Sequence, residues 1–553
     1  MTTTRRPVRS GGRRALAALA LTATAALGLS ACGGTADAGG AGGDSTLRVA
    51  FWPDNAAFSC VDPFQTYWIE HRSVIRNVAD SLTDQDPETG EIVPWIAKSW
   101  DIAPDGLSYT FHLRDDATFS DGTPVDAEAV KTNFDGFAKV VADTGGAAFG
   151  ASYIQGFKDA QVVDPQTVTI DFSQPNSAFL QATSTTNLAL LSAASFQKTA
   201  EQRCLGDITG SGPFTLDSYK PGEGIELSKR DDYEWGSELN DNTGPATIDK
   251  VEFSYVAEDS VRTGNLVSGA IDIAWPRNPF TVEDKALIES SGASVEERSL
   301  PGVASALFPN TEAGHPLADK TVRQAFGKAL DLESYAHTVY GEDYPVVEGA
   351  FDTTTPYFTS EKDKLGHDPD GAAALLDQAG WTLGADGYRE KDGKRLTITY
   401  PVTAQVPGNE LIQDQLKQVG IDLQLKVITA AENPDVLSNG DYDLTSTYFT
   451  RANPGALQFI LVPELANSKG LAQRVAEPAT AARIKDLFAT ALQTTDDATS
   501  AQAYADLQDL LVDEGVAFPV FERVQDVGIA SRVTGFSFTS ESFLRLNDVS
   551  LEG

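Results

Sequence analysis

The 553-residue sequence has one methionine, three cysteines and five histidines, and its 42 Lys+Arg face 79 Asp+Glu. Each shortage excludes something. A nucleic-acid binder rests on basic side chains that neutralise phosphates, and a formal charge of −37 argues against that class. His71, His112, His315, His337 and His367 show no ligand spacing with the cysteines, so no metal site is expected. The apolar run Ala15 to Leu29 spans 15 residues, short of the roughly 20 that cross a bilayer. A GxSxG elbow, HExxH, a Walker A run and a GxGxxG opening a helix after a strand are all missing. No catalytic residue and no cofactor is therefore assigned.

What is present begins at the N-terminus. Arg5, Arg6, Arg9, Arg13 and Arg14 precede the apolar run with no acid among residues 1–32, the pattern of an export signal. It ends in Leu29-Ser30-Ala31-Cys32, which resembles a bacterial lipobox, so Cys32 is expected to become the lipidated first residue; an ordinary signal peptide with a chance cysteine is the other reading. Arg13-Arg14 leaves the twin-arginine route open against the general one. Residues 33–45 are Gly/Ala-rich and read as a flexible tether. Removing the signal takes five arginines away and moves the formal charge to −42. Cys60 and Cys204 remain, an even pair in an oxidising compartment, expected as a disulfide, with two buried thiols as the alternative.

With 41% hydrophobic and 22% charged residues the full chain has the composition of two or three globular domains. Alternation at Leu47/Val49/Phe51, Tyr109/Phe111/Leu113, Val168/Ile170/Phe172, Val251/Phe253/Tyr255, Leu396/Ile398/Tyr400 and Ile421/Leu423/Leu425/Val427 marks strands. Helical spacing at Val322/Phe326/Ala329, Leu375/Leu376/Ala379, Ile412/Leu416/Val419 and Tyr504/Leu507/Leu510/Leu511 lies between and after them. The mixture indicates an α/β, mixed α+β protein. Asp84 to Gly90 mimics a calcium loop, but its glycine stands seventh and position twelve is Trp95, so a polar turn is expected. Gly210-Ser211-Gly212-Pro213 reads as a loop that redirects the chain.

Five blocks in one order give a resemblance. Ile92 to Val130, Gly210 to Trp235, Pro316 to Asp331 (PLADKTVRQAFGKALD), Ala372 to Ile398 and Ile412 to Val427 resemble the family 5 extracytoplasmic solute-binding proteins of bacterial ABC importers, the peptide/nickel/opine type. The resemblance implies a bilobed fold like the type II periplasmic binding proteins, with an extra subdomain inserted in lobe 1. It divides the chain into 46–89 and 208–300 of lobe 1, 90–207 inserted, 301–523 as lobe 2 and 524–553 returning to lobe 1. It further implies a monomer on the outer face of the cell membrane that encloses a small-molecule or oligopeptide-like solute by hinge closure and delivers it to permease subunits. A secreted hydrolase and a ligand-sensing lipoprotein uncoupled from import are the competing classes. Arg323, within the VRQA run, is expected to be structural.

One departure bears on the solute. Peptide-binding members place an acid for the α-ammonium soon after an aromatic beyond a Tyr-Asp pair. Here Tyr442-Asp443 is followed by Tyr448-Phe449-Thr450-Arg451, and residues 444–463 hold no acid where the average composition gives about three. Arg451 is the expected contact for an anionic or oxygen-rich group, since a guanidinium matches such groups bidentately. Tyr448, Phe449, Asn453, Trp275, Asn310 and Thr185 complete the expected ligand-binding set.

Overall fold

The computed structural model describes residues 45–53, 59–145, 148–404 and 407–552. The export signal, Cys32 and residues 33–44 lie outside the described residues.

Alternation along Thr46–Phe51 buries Leu47, Val49 and Phe51 completely. This strand is parallel to Lys250–Tyr255 on one side and to Ile273–Ala274 on the other. It forms the middle of a seven-stranded mixed sheet ordered Ser294–Ser299, Val524–Ile529, Ile273–Ala274, Thr46–Phe51, Lys250–Tyr255, Gly224–Lys229, Phe214–Lys220. Register pairs Val49 with both Phe253 and Ile273, so one face collects the apolar side chains into the core of the first lobe.

Between the first and later strands of that sheet the chain builds an antiparallel four-stranded sheet. Its order is Ala97–Ile102, Ser108–Leu113, Thr167–Phe172, Phe157–Asp164. Helix Ala127–Asp143 covers it. Asp126 caps this helix by accepting from Ala129 N at 2.9 Å, and the stripe Val130, Phe134, Phe137 meets Phe111, Val168 and Ile170 in a separate core. The turn before it reverses at Gly122, whose φ of +80° suits glycine.

Beyond Ser299 the chain enters the second lobe at Gly302–Pro309, the central strand between Leu444–Thr450 and Phe518–Phe521. Thr397–Val402 and Asp422–Val427 pair in parallel nearby, joined through helix Pro407–Gln418. Helix Lys320–Ala329 packs Phe326 against Phe518, ring centroids 4.7 Å apart. Its Arg323 donates to the carbonyls of Leu317, Ala318 and Glu514 and pairs with Glu477 at 3.0 Å, a structural role.

The chain then returns, because Val524–Ile529 lies antiparallel to Ile273–Ala274 and Ser294–Ser299 in the first sheet. The two crossings run side by side, Leu300 N donating to Arg523 O at 2.8 Å. Two sheet-based lobes joined by two adjacent strands of chain are the architecture the resemblance implied. Among the described residues, a disulfide joins Cys60 to Cys204 across 144 residues. The Asp84–Gly90 segment is a hairpin end between Thr83–Gln85 and Ile92–Pro94, with Asp86 accepting from Glu88 N and Thr89 N. At Gly210 any side chain would collide with the Val78 carbonyl, so the Gly-Ser-Gly-Pro loop lies against the end of helix Ile69–Val78.

Candidate functional site

A cavity of about 290 Å³ opens where the crossings meet the lobes. The first lobe supplies Tyr67 and Trp68, just before helix Ile69–Val78, Arg72 one turn into that helix, and Arg277 just beyond strand Ile273–Ala274. The second lobe supplies Tyr340, Tyr344 and the strand residues Ser446 to Thr450. Leu300, Phe521, Arg523 and Val524 come from the crossings, and Phe149 from the segment between the strands and helix of the four-stranded unit.

The walls are aromatic. Tyr67 stands edge-on to Trp68 and Phe149, both with centroids 5.5 Å away, while Tyr340 stacks on Tyr344 at 4.3 Å and tilts against Phe521 at 5.2 Å. Burial pushes the Tyr67 hydroxyl up to about 12, so it is a hydrogen-bonding group and no base.

The polar lining is cationic: three arginines and no carboxylate. They differ in free capacity. Arg523 is saturated by Asp352, Thr450 Oγ1 and the Phe449 and Pro301 carbonyls, with its guanidinium 5.2 Å from the Tyr448 ring centre. Arg72 is 1% exposed, donates to Glu541 Oε1 at 3.0 Å and Thr450 O at 3.1 Å, and lies 4.7 Å from the Phe149 ring. Arg277 donates once, to Glu70 Oε1 at 2.7 Å, and lies 4.2 Å over Trp68; its Nε has no partner. Burial is the largest single influence and lowers the Arg277 pKa, yet the charge and hydrogen bond of Glu70 together with the Tyr448 and Tyr67 hydroxyls outweigh it, and the net shift is upward. Arg277 is thus a stacked, charged fork with open donors.

Of the residues singled out in the sequence, Tyr448 and Phe449 line this cavity. The others do not. Arg451 is fully buried behind Phe149, donating to Phe149 O and Ser152 Oγ. Trp275 continues the inward face of Ile273 and meets Phe51 edge-on at 5.1 Å in the first-lobe core. Asn310 ties a second-lobe turn, donating to the Tyr442 carbonyl at 3.1 Å and accepting from Glu312 N. Thr185 donates to Ala182 O inside the four-stranded unit. Asn453 bonds Gln181 Oε1 at 2.6 Å and caps its own turn through Gly455 N. The sequence reading missed Arg72, Arg277 and Arg523. Each stands within four residues of an aromatic, at Trp68, Trp275 and Phe521, a signal too common to single them out.

Among the described residues no group of three or more His, Cys, Asp or Glu is placed to hold a metal ion, and no helix is long and apolar enough to cross a membrane.

A two-lobed clamp with a cavity at its hinge defines a class of binding proteins, and the comparisons with known proteins agree. The family model of bacterial extracellular solute-binding proteins, family 5 Middle, matches residues 91–463. The chain belongs to that family, and is the extracytoplasmic, non-catalytic solute-binding component of an ABC-type importer. Its relatives include the glutathione-binding protein GsiB of Escherichia coli, 24% identical over 501 residues, 90% of this chain and 93% of that one. In fold it is similar to NikA from Brucella suis, solved with Fe(III)-EDTA, at 24% identity and a TM-score of 0.78 over 92% of this chain and all of that one. It is likewise similar to AgaA from A. tumefaciens R10, solved with agropinic acid, at 23% identity and a TM-score of 0.72 over 92% and 99% of the two chains.

Proposed function

We propose that the cleft captures a small, ring-bearing or otherwise compact organic acid. The observation that carries this reading is the inverted charge of the lining: three arginines and no acid in a chain where acids outnumber bases 79 to 42. A free α-ammonium would meet guanidinium groups and no carboxylate, and would stay unpaired on desolvation. A carboxylate or phosphate finds the open donors of Arg277, while rings lie against Trp68, Tyr448 and Phe449. The 290 Å³ volume is at the low end of the roughly 300–1,000 Å³ of ligand pockets, which favours a compact solute over a long peptide. That relatives were solved with agropinic acid and Fe(III)-EDTA is consistent with this choice.

In this reading the protein is a monomer held to the outer membrane face by lipid on Cys32, and 46–89, 208–300 and 524–553 move as lobe 1, with 90–207 inserted, against 301–523. The seven-stranded, four-stranded and second-lobe three-stranded sheets support the division, and the hairpin that pairs Thr83–Gln85 with Ile92–Pro94 spans the 89/90 bound. Calorimetry across small aromatic and sugar acids, free dipeptides and N-blocked dipeptides tests the ligand class: acids bind and free dipeptides do not. Tight binding of an uncharged or purely cationic solute removes the proposal. Cys32→Ala is expected to release the protein from the membrane fraction; retention there refutes the anchor.

A further inference from the structure

Arg451 is a guanidinium with 0% exposure, and no carboxylate among the described residues is within ion-pairing distance. Two donors are used, one on Phe149 O and one on Ser152 Oγ at 2.7 Å, and Nε has no partner. Three rings surround the charge, with Phe149, Tyr153 and Phe459 centred 4.3, 4.8 and 5.0 Å away. The nearest ion pair does not neutralise it, because Arg72, against the same Phe149 ring, already holds Glu541.

The position of this cage matters more than its composition. Arg451 follows the second-lobe strand Leu444–Thr450. Phe149, Ser152 and Tyr153 belong to the unit inserted in the first lobe, which is fastened to that lobe through Leu190 N on Asp80 O, Arg76 on Ser184 O and Thr83 on Thr183. The cage therefore exists only while the lobes are together. Along the same seam Asn453 meets Gln181 and Ser177 meets the Ala491 and Leu492 carbonyls, and beside the cage the ion-paired Arg72 reaches Thr450 O.

A lone charge taken from water loses more than a hydroxyl, a carbonyl and three ring faces restore, and it recovers its hydration when the seam opens. We propose that Arg451 is a positioning residue for closure: its dehydration opposes the closed state, so the ligand-free clamp stays open and closes when a bound solute outweighs that opposition. The inference rests on hinge closure and is independent of which solute is bound.

Two substitutions of opposite chemistry have the same expected effect. Arg451→Met keeps the length of the side chain and removes the charge; Ser152→Asp keeps the charge and gives it a partner. Both should shift the ligand-free protein, stripped of carried-over solute in denaturant and refolded, toward the closed form. Small-angle scattering should show a fall of about 1 Å from an open-state radius of gyration somewhat above the roughly 24 Å of a compact chain this long. Hydrogen exchange at residues 148–154 should slow, and Arg451→Lys should behave as wild type. Unchanged or expanded dimensions in Arg451→Met overturn the proposal, because the cage would then favour closure. If Arg451→Met does not fold, Ser152→Asp decides alone: compaction supports the inference and its absence overturns it.

Discussion

Arg523 and Asp352 are joined at the hinge by three hydrogen bonds, with Arg523 N on Oδ1 at 2.8 Å, Nε on Oδ2 at 2.8 Å and Nη2 on Oδ2. The same guanidinium reaches Pro301 O on the other crossing and Phe449 O on the strand that lines the cavity. One side chain thus connects both crossings with the second-lobe wall. The hinge and the cavity therefore share a residue.

Removing one partner of this pair leaves the other charge buried. Arg523→Ala is expected to lower stability by roughly 3–5 kcal/mol, while Arg523→Met combined with Asp352→Leu loses much less. Urea unfolding of the three proteins checks this; equal losses in single and double variants would contradict it.

Asp80 gives a pH dependence. It is buried, accepts from Trp235 Nε1 at 2.9 Å, and burial pushes it up to about 7 against the pull of these hydrogen bonds and of Arg76 and Arg230. The folded chain therefore holds this proton more tightly than the unfolded chain. Its contribution to stability is complete below about pH 4 and is lost as pH rises to about 7, on the order of 4 kcal/mol. Asp80→Asn is expected to flatten that decline and to be the more stable protein at pH 8. Denaturation at pH 5 and 8 reads the difference; a wild type more stable at pH 8 than its variant would refute it.

Much of the scaffold was legible in the sequence. Leu47/Val49/Phe51 and Val251/Phe253/Tyr255 show period two because one sheet face is buried, and Val130/Phe134/Phe137 shows helical spacing because one stripe is. The cavity was not legible, because Trp68, Arg72, Arg277, Tyr448 and Arg523 come from four separate segments and meet only in three dimensions. Distance along the chain from Tyr442-Asp443 brought the reading to Leu444–Thr450, a strand that lines this cavity. It could not say that Phe149, distant in sequence, would stand between Arg451 and the cavity. Trp275 misled for a similar reason, since an aromatic at a strand end fits a core as well as a cleft.

The Cys60–Cys204 disulfide closes a loop of 144 residues. Replacing both cysteines with Ala should cost roughly 2–4 kcal/mol. Thiol titration of the denatured, unreduced mature protein should find neither thiol free; two free thiols would contradict the bridge.

Arg277 is the lining arginine with the most open donors, and a lost charge-assisted hydrogen bond costs about 1.5–3 kcal/mol. Arg277→Met should therefore weaken the native solute by roughly one to two decades, and because it leaves the buried Glu70 carboxylate without its partner it should also lower the melting temperature of the solute-free protein. Calorimetry with the solute recovered from the wild-type protein measures it. Unchanged affinity would place the acid group elsewhere in the cleft.

Native mass spectrometry of the protein as purified, followed by identification of what it releases, tests the central claim most directly. The expected result is one small acid per chain, released chemically unchanged and absent from Arg277→Met prepared in the same way. A released molecule with a free amino group and no acidic group, or one converted by the protein on incubation, would contradict the account.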